Sequence, residues 1–284
     1  IFDKILTQMP KISVVVPCYN QAQYLEECLQ SVLEQSYADW ECIIVNDNSP
    51  DNTEEIAKKW ISKDSRFKYL YKENGGLSSA RNAGIEMTEG EWILPLDADD
   101  KIGNLYLELG EKEFDKGYTV IYCNGQKFGT QEGPIKSKEY SLQNLAFQNV
   151  FFATCFYKKT DWKKHGGYDK NMIYGLEDWE FWIRLLQSGG KVYKIPQICF
   201  YYRKKEDSLL TNLTLERMKK MQDYLSKKHL EFFINHMGNF QELSLLIERL
   251  QNENIKFKKA YTSRRFKLGN DIINFIHKFL PLKN

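Results

Sequence analysis

Nowhere in the 284 residues does an apolar run approach the ~18–20 residues that a bilayer span requires. The first ten residues, IFDKILTQMP, lack a basic start, a long apolar stretch and a small-residue cleavage site. The chain is therefore expected to be soluble or peripheral to a membrane. Six cysteines (Cys18, Cys28, Cys42, Cys123, Cys155, Cys199) are scattered without a C-x-x-C pair, several inside apolar runs such as ECIIV and QICFYY. Buried free thiols in a reducing compartment are expected, rather than disulfides or zinc. The four histidines, His165, His229, His236 and His277, show no metal-ligand spacing. Excess charge is missing too: 40 basic and 38 acidic residues leave +2, which gives no general case for nucleic-acid binding. No G-K-[ST] follows a glycine-rich loop, and no G-x-G-x-x-G follows the first apolar run, which argues against a nicotinamide enzyme. Internal repeats and low-complexity linkers are absent.

What is present is regular alternation. Ile12–Val16 is a short apolar run closed by Pro17, and Tyr24, Leu25, Cys28, Val32 and Leu33 then recur at helical spacing, with Asn20 as the expected cap. Cys42–Val45, Tyr69–Tyr71 and Trp92–Leu96 predict further strands, and Thr53–Ser62 and Ser78–Met87 further helices. Strands separated by helices of this length imply crossover units and a parallel sheet covered on both faces. In such α/β sheets ligands bind beyond the C-terminal strand ends, where PCYNQ, NDNS and DADD fall. Between Val120 and Tyr202 short strands surround one strong helix, GLEDWEFWIRLLQSGG, with Leu176, Trp179, Ile183 and Leu186 expected on one face.

Four groups of residues could carry chemistry. DADD brings the carboxylates of Asp97, Asp99 and Asp100 to one turn, where repulsion calls for a compensating cation. Hard oxygen ligands at a strand end suit Mg²⁺ or Mn²⁺; a solvated, helix-capping turn is the plainer reading. Asp47 past the second strand has the place of a ribose or base acceptor, or of an Asx-turn. ENGGLSSARNAG joins flexible glycines to Arg81, a natural diphosphate partner or an exposed helical arginine. Glu177 and Asp178 open a helix rich in Trp179, Phe181 and Trp182, whose rings suit sugar stacking and whose apolar surroundings favour a general base; dipole stabilisation at a helix start explains the acids equally well.

In order, VVVPCYNQAQYLEECLQSVLEQSY, IIVNDNSPDNT, NGGLSSARNAGI, LDADD and GLEDWEFWIRL resemble the family 2 glycosyltransferases of the GT-A fold, bacterial surface-polysaccharide type, over about residues 11–208. The resemblance implies an α/β fold, a Rossmann-like mixed sheet with a nucleotide-binding N-terminal half. It implies an inverting transfer of sugar from a nucleotide donor, most often a UDP-sugar, to a glycan or lipid-linked saccharide hydroxyl. Pro17 and Tyr19 would then line the base pocket and Asp47 accept the base N–H. Arg81 would lie near the ribose-diphosphate, Asp97 would contact ribose, and Asp99 would bind Mg²⁺ or Mn²⁺. Asp178 would be the general base, with Glu177 its neighbour near the acceptor. The chain departs from its relatives at Asn46-Asp47, where many carry Asp-Asp, and at Lys205, where relatives often place a histidine. A protonated lysine cannot ligate a metal, so Lys205 is expected on the diphosphate. The alternatives are a catalytically silent nucleotide-sugar-binding protein and a sugar-phosphate nucleotidyltransferase.

Domains are expected at 11–210, catalytic, with 11–103 on the nucleotide side and 104–210 on the acceptor side, and at 211–284, a helical extension. Its last stretch, residues 256–284, carries eight basic residues and one acid, Asp271. Ile272, Ile273, Ile276, Phe279 and Leu280 fall on one helical face. The pattern predicts an in-plane helix on an anionic membrane surface, and so a cytoplasmic protein peripheral at the inner face of the plasma membrane. Docking on its own domain, or a homo-oligomer contact, is the other reading of that face.

Overall fold

The computed structural model describes residues 10–206 and 214–279. The chain opens with β1 (Ile12–Cys18), α1 (Ala22–Leu33), β2 (Trp40–Asn46), α2 (Thr53–Lys63), β3 (Phe67–Tyr71), α3 (Leu77–Met87) and β4 (Trp92–Pro95). The strands and helices expected in this region are all present, with ends shifted by no more than two residues. There follow β5 (Lys101–Ile102), α4 (Tyr106–Glu111), β6 (Val120–Gly129), β7 (Gly133–Pro134), α5 (Leu142–Phe147), β8 (Tyr157–Lys158), α6 (Lys159–Lys164), α7 (Glu177–Leu186) and β9 (Val192–Lys204).

Strands β1 and β2 are buried along their whole length, as continuous apolar runs in a doubly covered parallel sheet must be. The main sheet has the order β3-β2-β1-β4-β8, with Val14 in register with Cys42 on one side and Leu94 on the other. Only β8 runs antiparallel, against β4. The chain direction across the sheet reverses between β1 and β4, and in open α/β sheets ligands bind beyond the C-terminal strand ends at such a point. A smaller sheet, β5-β9-β6-β7, pairs β5 antiparallel to β9 through Lys101 and Tyr201. It fastens the end of β9 to the segment that leaves β4.

Two local expectations need correction. Asn20 does not cap α1: it takes a left-handed backbone (φ 54°), and Gln21 precedes the helix without a side-chain bond. The free Ala22 N–H donates instead to Asp51, from the turn before α2, at 2.8 Å. The buried face of α7 is also broader than expected, including Glu180, Phe181, Trp182 and Leu185 beside Ile183 and Leu186, with Trp179 only half-buried. All six cysteines are buried and free, as their apolar surroundings implied.

Contacts divide the chain between Phe232 and Phe233, further along than the change in composition near residue 210. Helix α8 (Leu215–Lys228) reads as charged, yet Met221 and Leu225 are buried. Lys228 and the adjacent His229 both meet Glu180 at 2.9 Å. Burial raises the Glu180 carboxyl, but His229 and Arg184 outweigh it and bring it down to about 2. The division falls inside α9 (Leu230–Met237); beyond it lie α10 (Phe240–Thr262) and α11 (Arg264–Phe279). Helix α10 starts with a capping box of Asn239 and Glu242, and Tyr261 near its end meets Phe266 of α11 at 4.6 Å.

Candidate active site

The first wall of the crevice follows β1 and β2. Pro17 is buried in β1 beside Val45, and Tyr19 just beyond it is half exposed at 51%. Asp47 follows β2 and is buried, and its carboxylate is already engaged. Oδ1 accepts from Lys72 Nζ at 2.5 Å and from the Gly75 N–H at 3.0 Å, and Oδ2 accepts the Gly76 N–H at 2.9 Å. Asp47 therefore organises the loop leading into α3. Gly76, at φ 80°, supplies the left-handed turn there that a side chain resists. Lys72 carried no signal in the sequence, because only the fold brings it to Asp47.

Arg81 sits at the centre. Its helix approaches the sheet closely: a Cβ on Gly84 would lie 2.5 Å from Val15 Cγ1 and 2.7 Å from Val45 Cγ2. That closeness buries Arg81 to 1% exposure, where it donates to Asp97 Oδ1 and to Glu177 Oε1, each at 2.6 Å. The guanidinium expected near the diphosphate is thus committed to two carboxylates. Among the described residues its Nε has no partner.

Asp99 and Asp100 complete the turn. Asp100 is buried and accepts the Arg203 N–H at 2.7 Å. Its burial, then the charges of Asp99 and Asp97, push its carboxyl well above the usual range. Asp99 Oδ2 lies 2.5 Å from Lys205 Nζ, which also donates to Gln21 Oε1 at 3.0 Å.

The second wall is the start of α7. Gly175 (φ 109°) and Leu176 (φ 65°) turn the chain sharply into the helix, an unusual conformation for leucine that aims the acid pair. Glu177 is buried against Arg81. Asp178 accepts from Asn149 Nδ2 at 2.9 Å and from the Trp179 N–H at 2.7 Å. Burial and the neighbouring Glu177 charge push the Asp178 carboxyl up to about 7, against the opposing pull of Arg81, the Trp179 N–H and Asn149. A carboxylate with that pKa suits a general base near neutrality. The stacking role expected of the aromatic residues is corrected. Phe181 and Trp182 are fully buried among Phe151, Tyr157 and Tyr168, and the Trp179 indole Nε1–H donates to the Leu145 carbonyl at 2.7 Å.

The residues present do not offer a divalent ion an open site. Among the described residues no group of three or more His, Cys, Asp or Glu side chains is arranged to hold a metal. Asp97 faces Arg81, Asp100 is buried, and Asp99 carries an ammonium. A cavity of about 480 Å³ opens beside α3, lined by Lys72, Asn82, Trp162, Lys163 and Lys170, but none of the acids of the crevice borders it.

Acids gather at the ends of the parallel strands, and a separate acid pair at the start of α7 is tied to them through Arg81, an arrangement that fits the GT-A class of α/β fold. Residues 13–177 match the model of Glycosyl transferase family 2, and the chain belongs to that family. The putative teichuronic acid biosynthesis glycosyltransferase TuaG of Bacillus subtilis is 29% identical over 208 residues, 72% of this chain and 82% of the relative. The chain spans 35% and 48% of the lengths of the first two curated relatives that it matches. The fold is shared with S. aureus TarS 1-349 in complex with UDP-GlcNAc. The TM-score is 0.69 over 80% of this chain and 71% of that one, at 22% identity. It is shared more distantly with the mannosyltransferase PcManGT of Pyrobaculum calidifontis in complex with GDP-Man and Mn²⁺, at a TM-score of 0.58, over 98% of this chain and 89% of that one, at 15% identity.

Proposed function

We propose that this protein transfers a sugar from a UDP-sugar to a hydroxyl of a glycan or lipid-linked saccharide, inverting the anomeric centre in one displacement. The observation that carries this reading is the Asp178 carboxylate, raised to about 7 and oriented by Asn149 and the Trp179 N–H. An acceptor hydroxyl is a poor nucleophile until its proton is taken as the new bond forms, and this reading assigns that task to Asp178. Beside it, Arg81 ties Glu177 to Asp97, so the acceptor side and the donor side hold one geometry. Pro17, Tyr19 and the loop ordered by Asp47 form the base-binding wall. The UDP-GlcNAc complex of TarS supports the donor class, and the name of TuaG supports a surface polysaccharide as product. Incubation with a panel of UDP-sugars, with UDP release as readout, tests the donor. No release and no binding with any UDP-sugar would remove the reading.

We also propose that the last helices lie on an anionic membrane surface. Arg264, Arg265 and Lys267 of α11 and Lys256, Lys258 and Lys259 of α10 are exposed. Ile273, from the expected apolar face, is half exposed at 50%. Leu280 and the side chains of Ile272, Ile276 and Phe279 lie outside the described residues. Among those described, no helix is long and apolar enough to cross a membrane.

A further inference from the structure

We propose that Lys205 does the work of a divalent cation in this site: its ammonium carries the positive charge that offsets the departing UDP diphosphate. The proposal rests on the UDP-sugar reading above and goes beyond it by assigning the electrophilic side of the reaction to a residue of the chain.

Three carboxylates lie within four residues, and two of them are paired with cations of the chain. Asp97 is paired with Arg81 at 2.6 Å, Asp99 with Lys205 at 2.5 Å, and Asp100 accepts the Arg203 N–H at 2.7 Å. Arg81 and Lys205 thus place two cations of the protein itself on the turn where a metal would otherwise offset the acids. A dication on Asp99 would have to settle against the Lys205 ammonium, and like charges in a poorly hydrated crevice repel strongly.

Lys205 is not a loose surface lysine, its side chain being 12% exposed. Two residues earlier, Arg203 fastens the end of β9 to the acidic turn, with Nε donating to the Asp99 carbonyl at 2.8 Å and its N–H to Asp100. From that anchor the ammonium reaches Asp99, Gln21 and the face of the Tyr24 ring, 5.0 Å from its centroid. An ammonium has three N–H donors. Among the described residues Asp99 and Gln21 take two, which leaves the third for a phosphate oxygen.

In the transfer step the acceptor oxygen bonds to the anomeric carbon and its proton passes to Asp178. The bond from that carbon to the β-phosphate oxygen breaks, and its electron pair stays on the phosphate. The diphosphate gains one negative charge beside Lys205, which stabilises it without any change of its own protonation.

The test measures UDP affinity by calorimetry in excess EDTA and in Mn²⁺, together with Mn²⁺ binding to the nucleotide-free protein by electron paramagnetic resonance. The wild type should bind UDP equally in both buffers and leave the Mn²⁺ signal that of the free ion. Lys205→Met should lose roughly tenfold or more in UDP affinity, the size of one charge-assisted hydrogen bond. Lys205→Arg should restore most of it, which separates loss of charge from loss of fold. Wild-type Mn²⁺ binding that disappears in Asp99→Asn overturns the proposal. So does UDP affinity that collapses in EDTA, or that is unchanged in Lys205→Met. Failure to bind UDP in either buffer overturns the donor assignment itself, a separate result, and this role of Lys205 falls with it.

Discussion

Arg81 on α3 donates to Glu177 on α7 across 96 residues of sequence, and its other arm holds Asp97 beyond β4. One buried cation therefore joins α3 to the start of α7 and to the turn beyond β4. Removing one partner of such a buried group costs about 3–5 kcal/mol, because the remaining charge stays unpaired. Arg81→Met should lower unfolding stability by that order, read from urea titration, with most of the cost at Glu177, since Asp97 is 34% exposed. Arg81→Lys reaches only one of the two carboxylates and should recover only part. A loss below about 1 kcal/mol in Arg81→Met, the level of a surface pair, would refute the linchpin role.

Asp178→Asn keeps the shape of the side chain and removes its basicity. Turnover should fall by roughly 10²–10⁴-fold with UDP affinity nearly unchanged, as when an interaction of the transition state alone is lost. The raised pKa sets the sign of the pH dependence. Only the ionised form accepts a proton, so turnover should rise with pH and level off above about 7. The variant should lack that inflection. Wild-type turnover in Asp178→Asn would shift the role to Glu177.

Asp47→Ala leaves Lys72 and the Gly75 and Gly76 N–H groups without their acceptor. Lys72 is half-buried and Gly75 and Gly76 are exposed, so water replaces part of what is lost, and a cost of about 0.5–1.5 kcal/mol should appear as weaker UDP binding and faster amide exchange in residues 72–76. Exchange and affinity both equal to wild type would show that Asp47 does not order this loop.

Gly84→Ala adds a methyl against Val15 and Val45, on strands that cannot give way without moving the sheet. Overpacking of this kind costs about 1–3 kcal/mol, and a thermal melt of the full chain should show it. An unshifted melting temperature would mean that α3 has room to move.

Deleting residues 264–284 should preserve UDP-sugar turnover and abolish sedimentation with anionic vesicles, since each basic residue near such a surface contributes about 1 kcal/mol. High salt should release the full chain only in part, because it screens the charges and not the apolar contact. Indifference of the full chain to anionic vesicles would make the tail a structural or oligomeric element.

The sheet was legible in the sequence because its signals are local. Ile12–Val16, Cys42–Val45 and Trp92–Leu96 are apolar runs, the helices between them repeat every three or four residues, and a parallel sheet follows from their alternation. The order of PCYNQ, NDNS and DADD placed Asp47, Asp97, Asp99 and Asp100 at strand ends from the sequence alone. The corrections came where composition misled. Trp182 and Phe181 looked like a sugar platform but are core, since apolar rings at a helix face are as ready to pack inward as to meet a ligand. Residues 215–228 looked like a charged extension, yet Lys228 and the neighbouring His229 are drawn onto the buried Glu180.

What the amino-acid order determined by itself was which residue types stand at each strand end. Which of them face one another was decided only by the tertiary structure. Arg81 could have met a phosphate, and Asp99 could have been an open carboxylate. Instead Arg81 is enclosed by Asp97 and Glu177, and Lys205 closes on Asp99 and Gln21, the latter 184 residues away. No periodicity encodes such pairs, because an ion pair depends on distance in space, and here crossover helices and the β5–β9 pairing set that distance.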